Sequence, residues 1–179
     1  METERLVLRR FTAADTGAMF RNWASDGEVT RYLTWPPHSC EDVTRSVLEQ
    51  WVSDYEKPDS YQWAIELRSM GEPIGSIAVV RLDESIDAIE LGWCIGRRWW
   101  GRGFMPEAAE AVIRYLFEQV HVNRVAARHA VDNPKSGRVM QKLGMVREGV
   151  LRQASRSNQG LEDVVQYSIL ASEYQRKST

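Results

Sequence analysis

The chain has 179 residues, 43% of them hydrophobic and 27% charged, a composition typical of one globular domain with its own core. Lys and Arg number 23 against 25 Asp and Glu, and the net charge of −2 disfavours binding to nucleic acid or anionic lipid. Two cysteines and three scattered histidines have no disulfide-framework or metal-ligand spacing, so no metal site is expected. The charged N-terminus lacks the apolar core of a signal peptide and no stretch is long enough to cross a bilayer, which predicts a cytoplasmic protein without a membrane partner.

The first third of the chain predicts a short strand followed by two helices. The strand is expected at residues 6–8, and Thr12 with Asp15 should begin the first helix. The prolines of residues 35–38 predict an irregular loop. Ser39 is expected to begin a second helix, whose apolar stripe comprises Val43, Val47, Leu48, Trp51, Val52 and Tyr55.

From Tyr61 onwards the apolar residues alternate with polar ones, which predicts strands. Strands are expected at 61–67, 74–82, 86–95, 125–131, 150–156 and 164–170, and helices at 104–120 and from Asn133 to Leu143. The order of these elements predicts a single α/β (α+β) domain over residues 1–179 with a mixed sheet.

The most informative segment is residues 90–104, ELGWCIGRRWWGRGF, in which a predicted strand leads through glycines into the long helix. The first amides of a helix have no internal partner, and glycine lets backbone approach a phosphate, so this segment predicts an anion site. No Gly-Lys-Ser/Thr follows, which excludes a Walker A loop. Pro106 occupies the place where a dinucleotide-binding helix needs Gly or Ala, which disfavours a Rossmann fold.

The pattern Arg-x-x-Gly-x-Gly at residues 98–103 resembles the coenzyme A pyrophosphate loop of the Gcn5-related N-acetyltransferase (GNAT) superfamily. Further segments resemble its ribosomal-protein alanine/serine N-acetyltransferase (RimJ/RimL-type) branch: residues 90–93, 105–108, 133–136, 142–149, 163–170 and 173–174. The resemblance implies a mostly antiparallel, V-shaped sheet flanked by helices. Its fourth and fifth strands, here 86–95 and 125–131, would splay apart to admit the pantetheine arm.

The resemblance also implies an acyltransferase that uses acetyl-coenzyme A, without a metal, to acetylate a primary amine by direct attack in a ternary complex. The residues expected to contact coenzyme A are Trp93, Cys94, Ile95, Arg98, Trp99, Trp100, Gly101, Arg102, Gly103, Phe104, Asn133 and Ser136. Glu90 is the predicted base, and a backbone amide near Cys94 or Ile95 the predicted oxyanion donor. Met140 stands where many members have a Tyr that protonates the departing thiolate, so Ser136 or water must do so.

Each of these residues also has a structural interpretation. Glu90 could be a surface carboxylate paired with an arginine. Asn133 would cap a helix in any protein, and Ser136 could belong to the same cap. Cys94 is expected to be a core residue rather than a nucleophile, because a buried thiol resists ionisation.

Tyr32 and Trp35 could be core aromatics, but the double proline after Trp35 makes an exposed loop. They are therefore predicted to wall the acceptor site, together with the turn at residues 157–160. A protein N-terminal α-amine is the favoured acceptor, since its pKa near ~8 demands less of a carboxylate base than a lysine at ~10.4. The alternatives are acetylation of a small amine, such as a polyamine, an amino acid or an antibiotic, and coenzyme A binding without turnover. A homodimer is left open.

Overall fold

A computed structural model describes the backbone of residues 1–177 and the side chains of residues 1–174. Within these residues seven strands form one sheet in the order β1-β2-β3-β4-β5-β7-β6. Their bounds are β1 Leu6–Arg9, β2 Gln62–Leu67, β3 Glu72–Asp83, β4 Ala88–Ile95, β5 Arg124–Ala130, β6 Val146–Ser157 and β7 Gly160–Leu170. Every pairing is antiparallel except that of β4 with β5. The predicted mixed, mostly antiparallel α/β sheet is therefore confirmed; that residues 1–179 form one domain stays a prediction.

The helices cover the two faces of this sheet. Their bounds are α1 Thr16–Met19, α2 Gly27–Thr30, α3 Glu41–Asp54, α4 Phe104–Tyr115, α5 Pro134–Lys142 and α6 Ala171–Lys177. α1 and α4 each continue into one π-helical turn, at Phe20–Ala24 and Leu116–Val120. A smaller apolar cluster joins α1, α2 and α3 to Ala64, whereas a larger one joins α4 and α5 to Ile65. Because successive strand residues point to opposite faces, the two clusters lie on opposite sides of the sheet.

Several predicted boundaries are wrong by a few residues, and the backbone explains them. α3 begins after Cys40 rather than at Ser39. β4 begins at Ala88 rather than residue 86, because Asp87 adopts a left-handed conformation with φ of 49° that ends a short helical turn. β6 begins at Val146 rather than residue 150, since its first residues are exposed on a sheet edge, where no apolar alternation is required.

The sheet opens between β4 and β5. Their parallel pairing runs from Ala88 opposite Arg124 to Leu91 opposite Ala127, and it ends there. β4 continues to Ile95 paired with β3, and β5 continues to Ala130 paired with β7. The two strands therefore diverge toward their carboxyl ends, and the V-shaped sheet that the resemblance implied is confirmed.

Candidate active site

A loop with unpaired amides follows β4 at the open end of the V. Gly101 and Gly103 have φ of 75° and 81°, and α4 begins at Phe104. The amides of residues 101–105 form no hydrogen bond within the part of the chain that the structure describes, and Glu107 is the first to bond back, to the Gly103 carbonyl at 3.2 Å. Five consecutive N–H groups at a helix start are a ready site for an anion.

Arg5, directly before β1, and two tryptophans fix this loop. Trp99 is buried, and the Trp100 indole donates to the Ile95 carbonyl at 2.7 Å. The Arg5 guanidinium donates to the Arg102 carbonyl at 3.0 Å and pairs with Glu107 at 2.6 Å. The carbonyl side of the loop is therefore occupied by the protein itself, which leaves the amide side for a ligand.

Charge favours an anionic ligand at the loop. Arg98 and Arg102 are exposed and form no ion pair among the described residues. Burial acts to raise the pKa of Glu107, but hydrogen bonds from Thr3 and Arg5 outweigh it, so that the pKa lies below its ordinary value. Glu107 thus stays ionised on Arg5, away from the loop arginines.

The start of α5 forms the opposite wall of the V. Asn133 caps this helix by accepting a hydrogen bond from the Ser136 amide at 3.4 Å, and Pro134 occupies the first turn. The Lys135 ammonium lies 4.0 Å from the centre of the Trp100 ring, so the two walls touch at this point. Met140 is 1% exposed within the larger cluster, which places its side chain in the core.

Glu90 lies near the base of the V. Its residue is 9% exposed, and its Oε1 lies 2.8 Å from Nε of Arg128. Glu90 is paired with an arginine, as its structural interpretation predicted. The carboxylate is nevertheless buried at the opening rather than exposed on the surface. Arg128 lies 38 positions from Glu90, and nothing in the local sequence marks it as the partner of that carboxylate.

The other β4 residues divide between the two faces. Trp93 and Ile95 pack against the larger cluster, and the Cys94 sulfur lies 3.3 Å from the Ser76 hydroxyl on the other face. Burial raises the pKa of the Cys94 thiol, which supports a core role over that of a nucleophile. Since β4 has no neighbour on the β5 side beyond Leu91, alternate peptide groups there are left for a ligand.

The loop at residues 31–38 is fixed at both ends. The Tyr32 hydroxyl donates to the Asp132 carbonyl at 2.8 Å, next to the cap of α5, so this hydroxyl is already engaged. Trp35 is half-buried and its ring lies 5.0 Å from that of His38. His38 is buried, its Nδ1 lies 2.8 Å from the Thr44 hydroxyl, and burial lowers its pKa. His38 therefore supports the Trp35 loop in its neutral form.

A residue that sequence analysis did not select holds this loop from the other side. The Asn158 side-chain amide donates to the carbonyls of Thr30, Leu33 and Trp35 at 2.7, 3.1 and 2.9 Å. Its backbone amide also donates to Leu33 at 2.8 Å. The turn between β6 and β7 thereby becomes one unit with the Trp35 loop. The turn and the loop are expected from the sequence to lie on the same side of the site, but an Asn in a turn is common, so the sequence does not mark Asn158 as the residue that joins them.

Metal-binding clusters and membrane-spanning helices are both absent from the described part of the chain. Its residues contain no cluster of His, Cys, Asp or Glu that could hold a metal ion. Among residues 1–177 no helix combines the length and hydrophobicity needed to cross a membrane.

Known proteins resemble this chain over most of its length. The family model described as the acetyltransferase (GNAT) domain matches residues 5–146. The uncharacterized N-acetyltransferase YoaA of Bacillus subtilis (strain 168) is 33% identical over 170 residues, which cover 95% of this chain and 96% of that protein. The ribosomal-protein-serine acetyltransferase of Escherichia coli (strain K12) is 27% identical over 137 residues, covering 76% of this chain and 75% of that protein.

A solved structure supports the fold. RimL, a ribosomal L7/L12 alpha-N-protein acetyltransferase in complex with coenzyme A, superposes with a TM-score of 0.83 over 94% of this chain and 95% of its own. Its sequence identity of 19% makes this a likeness of fold alone. The family match, with the V-shaped sheet and the amide-rich loop at its mouth, shows that this chain belongs to the GNAT family of N-acetyltransferases, which are acyltransferases.

Proposed function

We propose that this enzyme transfers the acetyl group of acetyl-coenzyme A to a primary amine, with a protein N-terminal α-amine as its acceptor. One observation carries the proposal: five unbonded amides lie at the mouth of an opening between two parallel strands. The oxygens of a diphosphate can accept hydrogen bonds from these amides, and an extended arm can lie in the opening between the unpaired strand edges. Bound acetyl-coenzyme A would supply an acetyl group activated as a thioester.

The proposed cofactor residues act mainly through backbone and charge. Arg98 and Arg102 are free to pair with phosphates, and Gly101 and Gly103 keep side chains away from the amides. Phe104, Trp99 and Trp100 support the loop. Trp93, Cys94 and Ile95 are proposed to line the arm, which can bond to the alternate peptide groups of β4 that β3 does not use. Asn133 and Ser136 are proposed to contact it from α5. RimL, which shares this fold, was solved in complex with coenzyme A, which supports coenzyme A as the ligand.

Glu90 is proposed to accept the proton of the attacking amine, directly or through water. One carboxylate oxygen is paired with Arg128, and the other has no partner among the described residues. Ser136 is partly buried on the opposite wall and is proposed to protonate the leaving thiolate, with water as its substitute. Met140 has no proton to give and lies in the core.

The acceptor is proposed to enter from the side of the molecule that the Trp35 loop and the turn after β6 wall together. Tyr32 and Trp35 would form its wall, with Asn158 holding them in place. The ribosomal-protein-serine acetyltransferase among the relatives supports a protein acceptor. A protein α-amine is also neutral in a larger fraction near pH 7 than a lysine or alkyl amine, which suits a carboxylate base.

The loop can be tested with a pair of matched glycine variants. Gly101 and Gly71 both have positive φ, 75° and 65°, and at each of them a Cβ would meet no atom within 4 Å. Gly101→Val and Gly71→Val should each lose about 1 kcal/mol of unfolding free energy, from left-handed backbone strain. Gly101→Val alone should weaken coenzyme A binding by about tenfold or more, because its branched side chain obstructs hydrogen bonds to a charged ligand.

Calorimetric titration with coenzyme A measures this affinity. Thermal unfolding checks that the two variants lose the same amount of stability. Equal affinity in the two variants would show that coenzyme A does not bind on this loop.

The acceptor wall can be tested at Asn158. Asn158→Asp keeps the shape of the side chain, but it replaces the amide that donates to three carbonyls by a carboxylate, which can only accept. The Trp35 loop should therefore detach. The KM for the acceptor should rise by about fivefold, since roughly 1 kcal/mol is expected for a lost hydrogen bond of this kind. The KM for acetyl-coenzyme A should change little, and Leu161→Ala, an exposed change on the same hairpin, should leave both constants alone. Parallel increases in both KM values would mean that the turn supports the whole fold instead.

The base can be tested by the pH dependence of thiol release. Glu90→Gln keeps an oxygen for Arg128 but removes proton affinity, so kcat should fall by on the order of a hundredfold near pH 7. The loss should shrink as pH rises toward the pKa of the amine, because more acceptor is then already neutral. Glu148→Gln, which disturbs the ion pair with Arg124 at the other end of β5, serves as control. A full-rate Glu90→Gln enzyme, or a loss that does not vary with pH, would contradict this role.

A further inference from the structure

The partner of Glu90 lies where an acceptor amine would arrive. Arg128 is the first residue of β5 beyond Ala127, the last residue paired with β4. Ile89, Leu91 and Ala127 face the larger apolar cluster, so Glu90 and Arg128 share the opposite face of the sheet. The ion pair therefore spans the V at its base, on the face that also carries Cys94.

Arg128 is anchored by an irregularity in β6. The pairing of β6 with β7 shifts register between Leu151 and Ser155, where Gln153 has φ of 47° and its amide donates to Asp163 at 2.8 Å. The displaced Ala154 carbonyl accepts a hydrogen bond from Nη1 of Arg128 at 3.0 Å. Glu90 and Ala154 thus hold the guanidinium from two directions, which fixes the orientation of its plane.

The pair retains unused hydrogen-bonding groups at the opening. Nε and Nη1 of Arg128 are engaged, whereas Nη2 and the Oε2 atom of Glu90 have no partner within the described residues. The two side chains are 32% and 11% exposed, so a molecule in the cleft can reach them. One carboxylate oxygen that can accept and one nitrogen that can donate therefore remain available to a molecule at the opening.

We infer that Arg128 determines specificity by binding, through Nη2, a carbonyl oxygen adjacent to the acceptor amine. In an α-amino acyl group one carbon separates the amine from its carbonyl, which places the nitrogen and oxygen roughly 3 Å apart. Such a group satisfies Glu90 and Arg128 together. An alkyl amine or polyamine lacks the oxygen and cannot accept this hydrogen bond from Arg128. The inference rests on the proposed function and narrows its acceptor to amines with a neighbouring carbonyl.

The test compares two small acceptors, alanine amide and isopropylamine, which differ by a carboxamide in place of a methyl group. The kcat/KM of each is expressed per neutral amine, which removes the difference in their pKa values. The wild-type enzyme should prefer alanine amide by about tenfold to a hundredfold, the range expected for one hydrogen bond from a charged donor. Arg128→Gln should reduce this preference to within about threefold.

Arg124→Gln is the matched control, because Arg124 lies on the same strand and face and is also paired with a glutamate, Glu148. It should keep the wild-type preference. If thermal unfolding shows that Arg128→Gln does not fold, the preference for alanine amide is measured for Arg128→Lys instead and compared with that of the wild-type enzyme. A wild-type enzyme that acetylates both amines equally, or a variant that keeps the full preference, overturns the inference and leaves acetyl transfer standing. A wild-type enzyme that acetylates no amine overturns the proposed function and the inference with it.

Discussion

The divergence of β4 from β5 after Leu91 is the constraint on which the rest of the site depends. Each strand remains paired on its outer side, β4 with β3 and β5 with β7, so neither can close the gap. The strands carry their following segments apart, which places the glycine loop on one wall and the start of α5 on the other. An opening lined by unpaired peptide groups can persist only where a ligand or water satisfies them.

The two faces of the sheet have separate tasks. One face carries the larger apolar cluster, which includes Ile89 and Met140 and holds the strands and α4 together. The other carries Glu90, Arg128 and Cys94, with the Trp35 loop fixed nearby by Asn158. Because strand residues alternate, β4 contributes apolar side chains to one face and polar side chains to the other. Substitutions on the polar face therefore leave the side chains of the larger apolar cluster in place.

Features that depend on local sequence could be predicted, and features that depend on strand register could not. The glycine loop and the Asn133 cap follow from a few neighbouring residues, whose conformations are set by glycine freedom and by unpaired helix amides. The Glu90 ion pair with Arg128 requires knowing which residues of β4 and β5 are opposite each other. The contacts of Asn158 join segments more than 120 positions apart, and no periodicity indicates them.

The location of coenzyme A is the central claim, and amide chemical shifts measured during a titration test it most directly. The account predicts that the largest shifts occur at residues 101–105, with smaller ones at residues 92–95 and 128–130 on the two sides of the opening. A different cleft lies at the far end of the sheet, where Pro58, Leu82 and His121 form part of its lining. Shifts concentrated there, or spread evenly without a maximum at the loop, would contradict the account.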